Sequence, residues 1–515
     1  MHTRVLTALL GISTGIIVAE FSVSGSEVAV ASLILGLAQC ALYVLAKART
    51  QKQGVLNNMH NLNIPLLSGI FCLALFLGVM RMQFSEVKNS FVCPQVCTFA
   101  GTVITSPETK DVYQIFAVRL DESSQVYDVQ VKAPLYPKYR VGDSLTLSGK
   151  VTEPSTGMDH DGKQAFNYSR YLQLHSIGSE MFYPKIEQTT SVSDQPKSII
   201  TSLKQLQEFF LATIFLYVRE PATSLASGML FGDSSMSKEL VETFRTVGLS
   251  HIIVLSGFNI AVLITFVLLL LFVLPLILRV LVAAVFVVLF VLMVGAEVSI
   301  VRATGMSFIA LAALLVGRAY TARHALLLSL IAITLYEPRH LLYDVSLHLS
   351  FLATAGIVYL SDGLRLLFIK IKSKVYQEVC TTTLAAYLAT LPYILYTFGT
   401  VSVYALLANL IVLPLVPMVM LFTFITVVTA PLFDGFGAVF GFITSLLGDF
   451  IIFVARSIEG LPFASVEFSI TPLVMIGMYG CLTGLYFILT LRKKYIHNET
   501  RETKNDEILS GVLSY

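Results

Sequence analysis

Hydrophobic and polar positions divide this chain of 515 residues into stretches of different kinds. Three apolar runs open it, roughly 5–19, 28–46 and 62–80, each near the length that crosses a hydrocarbon core of about 30 Å as a helix. From about 91 to 187 the period changes to two. Tyr127, Val129 and Val131 alternate with Asp128, Gln130 and Lys132, and Leu145 and Leu147 alternate with Ser144, Thr146 and Ser148. Half-buried strands give that pattern. Turn residues interrupt it at Pro134, Pro137, Gly142-Asp143 and from Pro154 to Gly157, so the block reads as a small barrel or sandwich of the OB type.

Helical spacing then returns. Leu203, Leu206, Phe210, Ile214 and Tyr217 share a face over 197–219, and Pro221 closes the stretch. Lys204 and Glu208 interrupt its first half, which favours a helix lying in the membrane interface over a plain span. From Gly248 onward nine apolar segments centre near Ala261, Val287, Ala310, Leu330, Ala353, Leu388, Leu415, Leu446 and Gly480, and Pro414 and Pro417 are placed to break one of them into half-helices. The expected fold is a polytopic α-helical membrane protein of about twelve spans with one small all-β OB-like domain. Its parts are a three-helix membrane segment (1–85), the OB-like domain (91–190), the interfacial helix (197–219), a membrane channel domain (221–494) and a polar, disordered tail (495–515).

Composition excludes the main alternative. The chain is 55% hydrophobic and 13% charged, about half the charge of a soluble domain, and too little to coat several water-soluble globules. The net charge of +2 is uninformative, but its placement is not. Lys47, Arg49 and Lys52 lie between the second and third runs, and Glu20 and Glu27 between the first and second. The positive-inside rule therefore puts the N-terminus in the cytoplasm and the OB-like block outside. Alternating the later segments brings Arg279, Arg318 with Arg323, the cluster Arg365, Lys370, Lys372 and Lys374, and finally Arg492, Lys493 and Lys494 to the cytoplasmic side, with both termini. Four cysteines, Cys40, Cys72, Cys380 and Cys481, sit in apolar runs and read as small hydrophobes. Cys93 and Cys97 are close together in a polar segment. They are candidates for a disulfide if that segment is extracytoplasmic, although their short separation strains the loop, and a metal pair is less favoured because no second Cys or His pair stands nearby.

No P-loop, no H-E-x-x-H and no two-metal histidine cluster occurs, so no catalytic residue, cofactor or metal is assigned. Gly11-Ile12-Ser13-Thr14-Gly15 matches G-x-S-x-G, but it lies inside the first span, where small residues serve helix packing. The positive signal is a set of polar residues within apolar segments. His251 and Asn259 lie about 80° apart around a helix, with Ser256 and Gly257 between them; Glu297 and Arg302 flank the start of another span; Asp344 and His348 stand at i, i+4; and Asn409 sits among aliphatics. Such groups face a bundle interior or a wet cavity, because hydrocarbon penalises them. For each one singly, a helix-to-helix hydrogen bond is an equal reading; together they favour a polar pathway.

The run Gly228-Met229-Leu230-Phe231-Gly232-Asp233, then Phe244-Arg245, Gly248-Leu249-Ser250-His251 and Leu255-Ser256-Gly257-Phe258-Asn259-Ile260, resembles the competence domain of the ComEC family. So do Ser299-Ile300-Val301-Arg302-Ala303, the stretch Asp344 to Thr354, Leu391-Pro392, and Asn409 to Pro414, in order over about 221–489. Val141-Gly142-Asp143 and Phe166 to Leu172 resemble that family's OB-like domain. Many members carry His where this chain has Asn259 and Gln where it has His348. Longer members end in a metallo-β-lactamase-like nuclease; this chain stops after Tyr515 without such a metal motif, so strand degradation is expected to be absent here or supplied by another protein.

The resemblance implies a channel passing single-stranded DNA across the cytoplasmic membrane during natural transformation. His251, Ser256, Gly257, Asn259, Glu297, Arg302, Asp344, His348 and Asn409 would line or shape the path, and the work would come from a cytoplasmic ATPase or helicase, with an extracytoplasmic DNA receptor as a further partner. Lys138, Tyr139, Arg140, Arg170 and Tyr171 pair cations with aromatics as outer DNA contacts. Acidic residues outnumber basic ones across the block, however, so it is no strong clamp. A transporter of another substrate, such as a lipid-linked saccharide or small anion, is the alternative. An intramembrane enzyme using His348 and Asp344 is the least favoured, since no nucleophile stands at a recognisable spacing.

Overall fold

In a computed structural model of the chain, the alternating block closes into a barrel. The residues described are 2–21, 25–53, 59–84, 91–105, 107–109, 112–122, 125–154, 169, 172, 174, 177–190, 199–233, 235–253, 255–295, 298–317 and 321–489. The strands are β1 (Cys93–Val103), β2 (Glu108–Thr109), β3 (Tyr113–Glu122), β4 (Gln125–Pro134), β5 (Ser144–Thr152), β6 (Ser179–Phe182) and β7 (Lys185–Thr190). Their order is β1-β3-β4-β6-β5, and β5 pairs back onto β1, which closes a five-stranded ring; β4 and β6 run parallel and the other pairs antiparallel. This is the Greek-key barrel expected of the OB class, and closure removes the free edges. β2 and β7 are additions on β3 and β5.

The period-two pattern decides the faces. Phe116, Val118, Leu120, Val129, Val131, Leu145, Leu147, Val151 and Met181 point inward and are buried. Their alternate neighbours point out, where Arg119 pairs with Asp128 at 2.8 Å and Lys132 with Glu180 at 3.4 Å. The turn after β4 is sealed by buried Gln114, whose amide donates to the carbonyls of Pro134 and Pro137, each at 2.7 Å. In Val141-Gly142-Asp143, Gly142 takes φ 97° and the Asp143 carboxylate accepts from the Arg140 N–H at 2.8 Å. Only glycine takes that φ without strain, which explains the motif.

Outside the barrel the chain is mainly helical, and the whole falls, by packing, into two compact units. The first holds residues up to Phe209 together with Ala284–Leu347. In it α1 (His2–Phe21), α2 (Gly25–Gln53) and α3 (Met59–Gln83) form a bundle. α1 and α3 touch backbone to backbone: a Cβ added at Gly15 would lie 2.2 Å from the Leu75 carbonyl oxygen, and one at Gly78 2.2 Å from that of Ile12. The G-x-S-x-G match is thus a packing seam, as expected of small residues between spans. Arg81 of α3 donates to the carbonyls of Leu335 and Tyr336, capping helix α11 (Ala322–Tyr336) with a cation at its negative end.

Between these come α4 (Ile199–Tyr217), α5 (Ala222–Phe231), α6 (Lys238–Val247), α7 (Ser250–Ile253), α8 (Gly257–Leu270), α9 (Leu276–Val294) and α10 (Val298–Val316). After α11 follow α12 (His340–Tyr343), α13 (Val345–Leu364), α14 (Lys374–Thr397), α15 (Ala405–Val412), α16 (Val416–Thr429), α17 (Asp434–Glu459) and α18 (Pro472–Leu489). The second unit, Phe210–Ala283 with His348–Tyr515, is organised around α17, against which α5, α6, α15 and α16 pack. β8 (Thr400–Ser402) and β9 (Ser465–Glu467) form a short antiparallel ladder.

Among the described residues eight helices are long and apolar enough to cross a membrane. Counted as one span, the pair α15 and α16 makes a ninth; it is bent by 43° at Leu413–Leu415, so the break foreseen at Pro414 is present. Each of the nine segment centres expected after Gly248 falls in a helix or, for Leu415, at that break; those at Ala261, Ala310 and Leu330 belong to the shorter apolar helices.

Candidate functional site

Four of the polar residues singled out from the sequence, Ser256, Asn259, Asp344 and His348, fall into small bonded groups near helix ends. The first is built on α5. This helix ends at Gly232, whose φ of 70° turns the chain so that its N–H reaches the Gly228 carbonyl and the Asp233 N–H reaches that of Ser227. The closure bypasses the Met229 carbonyl, which an uninterrupted helix would satisfy from residue 233. Asn259, buried on α8, supplies the missing donor: its amide nitrogen lies 3.0 Å from the Met229 oxygen, and its own oxygen accepts from the Ser256 hydroxyl at 3.2 Å. A Cβ at Gly228 would come 2.9 Å from the Ile253 carbonyl oxygen, so glycine there lets α5 approach α7. The Gly228–Asp233 and Leu255–Ile260 runs are therefore the two halves of one joint. Ser256 stands at the N-cap position, Gly257 opens α8, and His251 lies on α7.

Two further groups depart from what spacing suggested. Asp344 and His348 do not share a helical face, because Asp344 precedes α13 with an extended backbone (φ −90°, ψ 100°). Asp344 instead caps α13 through the Leu347 N–H at 3.1 Å and bonds His340 Nδ1 at 3.0 Å. Burial pushes its carboxyl up, but His340 and the N–H groups of Leu347 and Ser346 outweigh that and hold it below the ordinary carboxylate value. His348 bonds the Tyr393 hydroxyl at 2.6 Å, with the two rings edge to face. Tyr393 follows Pro392, which lies inside α14, and the Tyr479 hydroxyl donates to the Ala389 carbonyl at 3.1 Å. Pairing across i, i+4 missed both partners; His340, four residues before Asp344, was the signal available.

Arg302 is buried on α10 in the first unit, and Asn409 is buried on α15 in the second, where its Oδ1 has no hydrogen-bond partner among the described residues. Glu297, Arg170 and Tyr171 lie outside the described residues. On the barrel, Lys138 and Arg140 are exposed, but Tyr139 is not the outer contact expected of it. It lies in the loop between β4 and β5 and packs inward against Phe116, with ring centroids 5.3 Å apart, and burial and the Asp143 charge push its hydroxyl pKa up. Cys93 and Cys97 are joined by a disulfide across a register irregularity in β1. Among the described residues no group of three or more His, Cys, Asp or Glu is placed to hold a metal ion.

These joints fall inside a recognisable sequence block. Residues 229–493, just over half the chain, match the family model described as Competence protein, and the chain belongs to that family. A curated relative, ComE operon protein 3 of Bacillus subtilis (strain 168), is 24% identical over 280 residues, which cover 53% of this chain and 34% of the relative. The match thus spans about a third of that protein's length. No solved structure matches the chain.

Proposed function

We propose that the protein is the membrane channel through which single-stranded DNA crosses the cytoplasmic membrane in natural transformation. The observation that carries this reading is the family match over 229–493, which includes the joints built around Asn259, Asp344 and His348. Polar groups in apolar helices need a bundle interior or water beside them, and a polyanion needs the same environment to cross. The barrel stands on the outer face, where DNA arrives, and both termini are cytoplasmic, as the loop cations indicate. Lys138 and Arg140 supply exposed charge on the barrel, while Arg119 and Lys132 are already engaged by Asp128 and Glu180. That leaves the barrel a weak contact rather than a clamp. An ATPase or helicase on the cytoplasmic side and a DNA receptor outside complete the machine.

The test is entry of labelled DNA in cells carrying Arg302→Ala or His348→Leu at normal protein levels. The reading expects entry to fall while surface-bound DNA persists. Normal entry with both variants would remove these residues from the path.

A further inference from the structure

From Phe210 onward, α4 and then α5 turn back toward each other, and the turn between them lies beside the middle of an apolar helix. In the second unit Phe210 stacks on Phe231 at the open end of this hairpin, with ring centroids 5.8 Å apart. At the closed end Tyr217, Arg219 and Ala222 follow α17 residue by residue. A Cβ at Gly441 would come 2.5 Å from the Tyr217 carbonyl oxygen, the Arg219 N–H donates to Ser445 Oγ at 3.0 Å, and a Cβ at Gly448 would come 2.6 Å from that of Ala222. The two glycines let the turn's backbone touch the helix. α6 then reaches the far end of α17, where Glu239 and Arg456 lie 3.7 Å apart.

Depth makes this arrangement informative. α17 runs from Asp434 to Glu459, 26 residues with at most two charges in its most apolar window. At 1.5 Å per residue, Asp449 lies within about 4 Å of its midpoint along the axis. Three charged side chains are exposed at that level, Arg219 and Glu220 on the turn and Asp449 on α17. The Ser224 hydroxyl holds the Glu220 carboxylate, at 3.1 and 3.0 Å from its two oxygens. A helix lying flat in the interface would not bring its end there. Hydrocarbon rejects exposed charges at its centre, and non-helical backbone at that depth persists only inside protein or beside water.

We propose that the α4–α5 hairpin is a re-entrant loop whose charged tip, Arg219 and Glu220 with Asp449, forms one wall of a water-filled constriction halfway across the membrane. Arg219 takes the phosphate backbone of the passing strand, and the flanking carboxylates keep it from holding a phosphate so tightly that the strand stalls. The water-filled wall follows from burial and depth; the polyanion rests on the function proposed above.

Single cysteines test both parts, with Cys40, Cys72, Cys380 and Cys481 replaced and the Cys93–Cys97 disulfide kept. Arg219→Cys, Glu220→Cys and Asp449→Cys are compared with Leu446→Cys and Phe453→Cys, whose side chains are 60% and 66% exposed on the same helix. Membranes are treated with a membrane-impermeant cationic thiol reagent. Tip cysteines should react at least about tenfold faster than the two controls, because a thiol in hydrocarbon does not ionise, and added single-stranded oligonucleotide should slow the tip alone. If one variant fails to accumulate, the other two carry the test at the same depth. Equal labelling of tip and controls, or a copy-to-copy disulfide through Asp449→Cys, overturns the constriction. Fast labelling that oligonucleotide does not slow leaves the wall in place and overturns the phosphate contact.

Discussion

Replacing Asn259 by leucine separates a structural joint from a direct DNA contact. Asn259 is 1% exposed; its amide nitrogen donates to the Met229 carbonyl at 3.0 Å and its oxygen accepts from Ser256 at 3.2 Å. Leucine has the same branching and is larger, so no cavity forms and the loss is chiefly of hydrogen bonds. The Met229 carbonyl is left buried without its side-chain donor, which costs about 1–3 kcal/mol, and loss of the Ser256 bond adds about 0.5–1.5 kcal/mol. Asn259→Asp should cost more than Asn259→Leu, because it sets an acceptor, or a buried charge, against that carbonyl. Asn259→His keeps a donor and should recover part of the loss. The assay is thermal unfolding of protein purified in detergent, run beside DNA entry corrected for protein level in the membrane. The account expects stability in the order wild type, His, Leu, Asp, with entry following protein level. An Asn259→Leu protein as stable as wild type would refute the joint.

Asp344→Asn should weaken the start of α13 at neutral pH, since the charged cap is lost while the volume is kept. Because the folded carboxyl lies below its ordinary value of about 3.9, the carboxylate contributes stability above that value and loses it as pH falls through the folded one. Unfolding midpoints of wild type and Asp344→Asn should therefore converge below about pH 4, and a gap independent of pH would count against the assignment. Gly78→Ala puts a Cβ 2.2 Å from the Ile12 carbonyl oxygen and should destabilise the α1–α3 pair by about 1–3 kcal/mol, read as lower yield of monodisperse protein in detergent. Phe116→Ala removes a core side chain of the barrel and should cost about 3–5 kcal/mol, visible as proteolysis within 91–190; resistance equal to wild type would contradict the inward face of β3.

How much of this was legible in the sequence varied with the range of the interaction involved. Strand faces were readable because period two is local: Val129, Val131, Leu145 and Leu147 are all buried as their alternation required. Tyr139 was not readable in that way, since an aromatic in a loop between Lys138 and Arg140 looks like a contact surface until the fold packs it against Phe116. Asp344 and His348 misled for a related reason. The i, i+4 rule holds only inside a helix, and Asp344 is the residue that ends the preceding turn. The partners Met229, Tyr393 and Tyr479 are distant in sequence, and no periodicity announces them. Asp449 was not singled out from the sequence, because Arg219 and Glu220 come together with it only through the close approaches at Gly441 and Gly448.

The central claim is that this protein carries the strand across the membrane, and a deletion strain supplied with end-labelled double-stranded DNA tests it most directly. Nuclease-resistant label in the cytoplasm is measured against label bound at the surface. The account predicts that surface binding persists while cytoplasmic single-stranded label disappears, and that returning the chain on a plasmid restores it. Cytoplasmic label at the wild-type level in the deletion strain would contradict the account.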